Sequence, residues 1–182
     1  MQTYISILRG INVSGHKMIK MDALRAMFET LGFKNVKTYI QSGNVVFQTK
    51  KTSPQALEKK IAKKIADSFG FEVPVLVIDS AELSHTLKNN PFVNKRKEDS
   101  TKLHVTFLSG EPQQAAIEKI KEGNYADDEF IVSGKNIYLF CPNGYGNTKL
   151  SNTFFENKLK LTATTRNWKT VNELINLSNT HE

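Results

Sequence analysis

The chain has 182 residues, 39% of them hydrophobic and 24% charged, which excludes a disordered chain and leaves room for one ordinary domain or two small ones. No apolar run approaches the roughly 20 residues that span a bilayer, and the N-terminus has neither the apolar length nor the cleavage site of a signal peptide, so a cytoplasmic protein without a membrane partner is expected. The formal net charge is +7, and residues 1–100 hold 16 Lys/Arg against 9 Asp/Glu while residues 101–182 hold 9 of each. A basic first half attracts phosphates, nucleic acid or acidic proteins, or simply keeps the chain soluble.

In chain order, "TYISILR" (3–9) reads as a strand. "MDALRAMFETLG" reads as a helix, because Leu24, Met27, Phe28 and Leu31 make one apolar stripe. Asp22 suits its first turn and Gly32 its end. "VKTYIQ" and "NVVFQ" are strands joined by Ser42-Gly43. The segment "SPQALEKKIAKKIADSFG" is a helix, with Ser53 a cap and Pro54 in the first turn. Its Leu57, Ile61, Ile65 and Phe69 step along one face, and Lys59, Lys60, Lys63 and Lys64 fall on the other. "VPVLVI" completes a β-α-β-β-α-β order, the ferredoxin-like arrangement.

A short helix, "AELSHTLKNN", and a charged loop, "PFVNKRKEDS", read as a connection. The pattern then restarts. "KLHVTFL" is a strand, and "EPQQAAIEKIKEG" a helix starting at Pro112. "EFIVS" and "NIYLFC" are strands around Gly134-Lys135, "TKLSNTFFENKL" is a helix, "LTATT" a weak strand, and "NWKTVNELINL" a final helix capped by Asn167. The expectation is an α+β chain of two ferredoxin-like halves. Residues 1–80 form the first, 81–101 a helix and linker, and 102–182 a second half modified at its C-terminus.

Two glycine-bearing loops stand out. "LRGINVSGHKM" (8–18) has Gly10 and Gly15 at the spacing that opens a phosphate-binding P-loop, but His16 stands where the lysine belongs and Lys17 where the hydroxyl residue belongs. A looser anion cradle survives, in which backbone N–H groups converge and Arg9 and Lys17 add charge. "PNGYGNTKLSN" (142–152) has the same character and feeds a helix. In a pseudo-dimer both loops would lie on one rim. For a ligand, Arg9, Lys17, Lys149 and Arg166 would supply charge. Asn12, Gln41, Ser42, Asn44, Asn143, Tyr145, Ser151 and Asn167 would supply hydrogen bonds. Turn-making and capping are the competing roles for the same residues.

His16, His85, His104 and His181 have no metal-binding spacing, and Cys141 is alone, so neither a disulfide nor a metal site is expected, and no cofactor either. His104 lies within a strand and reads as packed. Asp127, Asp128 and Glu129 diverge in a turn rather than forming an acid–base pair, and no Ser-His-Asp triad is visible. Because a ferredoxin-like sheet is also the RRM scaffold, Tyr4 and Phe47 are the candidates for stacking bases. "SGNVVFQT" lacks the basic residue and aromatic spacing of the RNP1 signature.

The strings "LRGINVSG", "TYIQSGNVVF", "NGYGNTKLSNTFFENKL" and "TTRNW" together resemble the bacterial family catalogued as domain of unknown function 1697. The resemblance runs from first strand to last helix, with Lys20 where the family pattern would have proline. It implies an α+β fold with ferredoxin-like halves and implies no activity, so no catalytic residue carries over. The leading expectation is a module binding a small anionic, phosphate- or nucleotide-like ligand. The alternatives are an enzyme acting on a phosphorylated or acidic metabolite without a metal, a nucleic-acid-binding protein, and an interaction protein whose loops serve the fold alone.

Overall fold

A computed structural model describes residues 1–180; His181 lies outside the described residues. The first sheet is built from β1 (Gln2–Leu8), β2 (Lys34–Tyr39), β3 (Asn44–Thr49) and β4 (Val75–Asp79), with α1 (Met21–Thr30) and α2 (Pro54–Phe69) between strands. A third helix, α3 (Ser80–Lys88), and a single helical turn, α4 (Pro91–Asn94), lead to the second sheet. That sheet comprises β5 (Leu103–Leu108), β6 (Glu129–Ser133), β7 (Asn136–Phe140) and β8 (Ala163–Asn167). Its helices are α5 (Gln114–Lys121) and α6 (Asn152–Leu159), and α7 (Trp168–Asn179) ends the chain. The strand orders are β2-β3-β1-β4 and β6-β7-β5-β8. The two orders are the same when each set is counted from its own first strand, and the paired strands run antiparallel. This is the duplicated ferredoxin-like arrangement that the order of elements implied.

The chain divides into two compact units. One holds Met1–His85 together with the chain from Asn172 on; the other holds Thr86–Val171. The divisions fall inside α3 and α7. The C-terminal end of the chain thus belongs to the first unit, where Lys37 Nζ on β2 donates to Thr180 Oγ1 at 2.7 Å and to its carbonyl at 3.0 Å.

In the first unit the apolar stripes of both helices meet one face of the sheet. Leu24, Met27 and Phe28 of α1 and Leu57, Ile61 and Ile65 of α2 pack with Tyr4, Leu8, Val45 and Phe47. Phe47 is central, with its ring 4.5 Å from Phe33, 5.4 Å from Phe28 and 5.9 Å from Tyr4. The sequence signals for α2 hold to the residue. Ser53 caps the Ala56 N–H at 3.1 Å, Pro54 opens the helix, and Gly70 closes it in the left-handed conformation. α1 starts after Lys20 with no side-chain cap.

Some boundaries differ from the sequence reading. α5 starts at Gln114, because Gln113 and not Pro112 takes the cap position. α6 starts at Asn152, because Ser151 accepts the Phe154 N–H and so ends the preceding loop. The "PFVNKRKEDS" stretch is more ordered than a charged linker. Asn90 caps α4, and Phe92 is buried with its ring 5.9 Å from Phe140. Arg96 lies over both rings, with its guanidinium carbon 5.5 Å and 5.6 Å from their centres. It also grips Glu129 on β6 through two hydrogen bonds of 2.7 and 2.8 Å and takes Glu98 as a second partner. This fork-on-carboxylate geometry holds Glu129 below the usual carboxylate range.

The central strands of each sheet are buried on both faces. Opposite the helices, Ile5, Ile7, Val46 and Leu76 of the first sheet are 5% exposed or less. In the second sheet Leu103, Val105, Phe107 and Tyr138 are 3% exposed or less. An RRM needs one solvent-facing sheet surface on which bases stack. Neither sheet offers one, and Tyr4 and Phe47 are core residues, with the Tyr4 hydroxyl donating to the Thr52 carbonyl at 2.8 Å.

Candidate functional site

"LRGINVSGHKM" leaves β1 and folds into a miniature hairpin. Val13 pairs with His16, and the His16 N–H donates to the Val13 carbonyl at 2.9 Å. Ser14 and Gly15, at the two central positions, have φ of 50° and 76°, as a type I′ turn requires. Asn12, itself at φ 55°, closes the base of this hairpin. Its Nδ2 donates to the Ile19 carbonyl at 3.0 Å and to the Gln41 carbonyl at 2.8 Å, and its Oδ1 accepts the Ile19 N–H at 2.8 Å. One amide therefore ties three chain segments together. Arg9 is half-buried, and its backbone N–H donates to the Pro74 carbonyl.

The β2–β3 turn lies beside this loop. Asn44 is fully buried and donates to the Tyr39 carbonyl and to Ser42 Oγ, at 3.1 and 2.9 Å. Gly43 donates no side chain because none fits: a Cβ there would lie 2.6 Å from Leu8 Cβ, at a φ of 88°. Gln41 is exposed. Ile40 adopts φ 50°, a conformation that β-branched residues avoid.

Lys17 takes a different course from the rest of the loop. Its Nζ donates to the Glu72 carbonyl at 2.7 Å, at the edge of a cleft of about 680 Å³. Ala62, Ala66, Val73 and Pro74 line this cleft with an apolar surface, and Lys63 and Glu72 complete it. Lys63 belongs to the lysine face of α2, and its salt bridge to Asp67, at 3.1 Å, is solvent-exposed. The sequence reading placed Lys17 in a site and set Lys63 on a lysine face that could touch phosphates or simply be solvated. The signal that links them is the spacing of Ala62 and Ala66, one helical turn apart, which leaves α2 shallow beside Lys63.

In the second unit, the loop at 142–152 forms a 3-10 turn over Tyr145–Asn147. The Tyr145 ring stacks on His104 of β5, centres 4.8 Å apart. His104 faces Asn167 across the β5–β8 ladder, and Arg166 is its neighbour on β8. Arg166 donates to the Thr165 carbonyl at 3.0 Å. Burial pushes its guanidinium down to about 10, and Tyr145 acts in the opposite direction. It stays charged at neutral pH. Ser151 and Asn167 serve as helix caps, the latter accepting the Thr170 N–H at 2.8 Å. Asn143 and Lys149 line a smaller cleft of about 150 Å³ with Tyr125, Ala126, Asp128, Gly144 and Asn147.

The twelve sequence candidates thus fall into two sets of six, one per unit. In the first, Asn12 and Asn44 direct their amides into turns while Lys17 reaches a cleft. In the second, Ser151 and Asn167 cap helices, Tyr145 stacks on His104, Arg166 lies on β8 opposite Val105, and Asn143 and Lys149 share a cleft. Cys141 is buried, and burial together with Asp128 pushes its thiol up to about 11, the wrong direction for a nucleophile. Among the described residues no three His, Cys, Asp or Glu side chains gather as a metal site would need. No helix among them is long and apolar enough to cross a membrane.

Burial lowers the His104 pKa below its ordinary value, with the Lys102 carbonyl pulling weakly the other way. A histidine depressed in the folded state binds its proton later than in the unfolded chain. Its contribution to stability is therefore complete above the unfolded pKa, near 6.5, and is lost as pH falls through the lower folded value. Urea titrations at pH 7 and pH 5 should show a smaller acid loss of stability in His104→Phe than in the parent chain. An equal loss in both would relocate the effect to other groups.

No curated protein matches the chain. Among solved structures it is similar to the conserved bacterial protein SP0830 from Streptococcus pneumoniae, at 23% sequence identity and a TM-score of 0.76, over 98% of this chain and 99% of that one. That likeness is one of fold. The family model for the protein of unknown function DUF1697 matches residues 1–138, three-quarters of the chain including the whole first sheet, and on that match the chain belongs to this family.

Proposed function

We propose that this protein is a binding module for a small anionic ligand with an apolar body, phosphate-bearing or nucleotide-like, received in the cleft of the first unit. The observation that supports this is the meeting of Lys17, from the glycine-bearing loop, and Lys63, from α2, around one apolar-lined cleft. An ammonium group has three donors. Lys17 spends one on the Glu72 carbonyl, which aims the rest. The Lys63–Asp67 pair is exposed and weak, so Lys63 is easily turned toward a ligand. Ala62, Ala66, Val73 and Pro74 provide the apolar contact that small-molecule sites commonly use. The cytoplasm suits this reading, since Cys141 is a free thiol.

Thermal melts in inorganic phosphate and in a panel of nucleotides test it. A ligand at about 100 times its Kd should stabilise the fold by about 2.7 kcal/mol, a rise of several degrees. Lys63→Glu should melt like the parent chain without ligand and lose the rise with it. No rise with any member of the panel overturns the reading. A rise accompanied by turnover of the ligand would extend it to an enzyme.

A further inference from the structure

We infer that the free edge of β6 is a docking edge for a second copy of this chain, paired antiparallel about Ile131. Among the described residues β6 stands at the end of its sheet, hydrogen-bonded to β7 alone. Its pairing with β7 is regular throughout, from Glu129 opposite Phe140 to Ser133 opposite Asn136. Edge strands that must stay solitary are defended by bulges, lysines or proline. β2 holds the corresponding place in the first sheet and has such defences. Its register shifts between Lys34 and Lys37, and Asn35 between them has a φ of 49°. β6 has no bulge, no lysine and no proline, and it exposes an isoleucine, Ile131, at 38%.

The hydrogen-bond parity of the hairpin selects the register. Gly134-Lys135 is a two-residue loop, so the flanking Ser133 and Asn136 form a hydrogen-bonded pair. Alternation then turns the Ile131 and Glu129 backbone groups toward β7. The N–H and C=O groups of Phe130 and Val132 point out from the free edge. A second β6 placed antiparallel with Ile131 on the two-fold axis sets Phe130 against Val132 of the copy, and Val132 against its Phe130. Shifting the axis to Phe130 or to Val132 takes one of these pairings into a turn.

The same register matches the charges. Glu129 falls opposite Ser133 of the copy, so no like charges oppose each other, and Arg96 already holds Glu129. Beyond the strand ends, exposed Asp127 falls opposite Lys135 of the copy. The two Ile131 side chains meet at the axis in a pair not bridged by hydrogen bonds, where Cα atoms approach to about 4.5 Å. A five-residue edge buries less than the roughly 1,000 Å² of a stable interface, so the dimer is weak and appears only at high concentration.

Sedimentation velocity from about 10 µM to about 1 mM tests this, with the dimer expected in the upper part of that range and absent in Ile131→Lys. Ile131 faces solvent, so this variant should fold as the parent does. In Ile131→Cys, mild oxidation should yield a covalent dimer. Ser133→Cys, opposite Glu129 of the copy, should yield at least tenfold less, and buried Cys141 should yield none. A parent chain that stays monomeric throughout overturns the proposal and leaves the edge to some other extended segment. Association that survives Ile131→Lys, or equal cross-linking by the two cysteine variants, also overturns it.

Discussion

Phe47→Ala should destabilise the first unit by about 3–5 kcal/mol, the usual cost of removing a fully buried aromatic ring. Phe47 is 0% exposed and touches the rings of Phe33, Phe28 and Tyr4. Sheet and helices approach it from two sides, so little of the resulting cavity can collapse. Urea unfolding followed by circular dichroism is the measurement. A loss below about 1 kcal/mol would mean that the ring is outside the core, as an RRM-like stacking role would require. The same variant therefore separates the two roles that an aromatic on a central strand can have.

Gly43→Ala should cost about 3 kcal/mol, or on the order of 10 °C in melting temperature for a chain of this size. Two terms add. An L-residue at φ 88° is strained, and the new methyl would lie 2.6 Å from Leu8 Cβ and 3.0 Å from Ile11 Cδ1. Leu8 cannot yield easily, because its own N–H donates to the Gly43 carbonyl at 2.8 Å. Gly15→Ala is the matched control. Gly15 has a similar φ of 76° with open space where the Cβ would go. That variant should carry the strain alone, about 1 kcal/mol. Equal losses in the two variants would show that the contact with Leu8 relaxes freely.

The comparison of particular elements shows where sequence reasoning stops. Helix α2 was legible in its cap, its first-turn proline and its apolar stripe, because all three signals are local. The β3–β1 pairing, Tyr4 against Phe47, was not legible, because alternation assigns faces and leaves the register to tertiary packing. Asn12, Asn44 and Ser151 were legible as polar residues but not in their role, whereas Asn167 was read as the cap of the last helix and does accept the Thr170 N–H there. An amide that closes a turn and an amide that holds a ligand have the same chemistry. Asn12 became a clamp because Ile19 and Gln41 lie beside it, and Gln41 is 29 residues away. Lys63 was hidden for the related reason that a lysine face looks the same above solvent as beside a cleft. The charged stretch after Asn90 looked like a linker, since Arg96 finds Glu129 only when β6 is in place.

What the sequence by itself determined is therefore the list and order of elements, the buried face of each helix, and the two glycine-bearing loops. All of these rest on interactions within a few residues of chain. The tertiary structure alone decided that the central strands of each sheet are buried on both faces, which leaves no RRM-like stacking platform on them. It alone brought Lys17 to Lys63, stacked Tyr145 on His104 and returned Thr180 to Lys37, 143 residues earlier. Those outcomes depend on which surfaces come together when apolar area leaves water, and that choice is made over the whole chain at once.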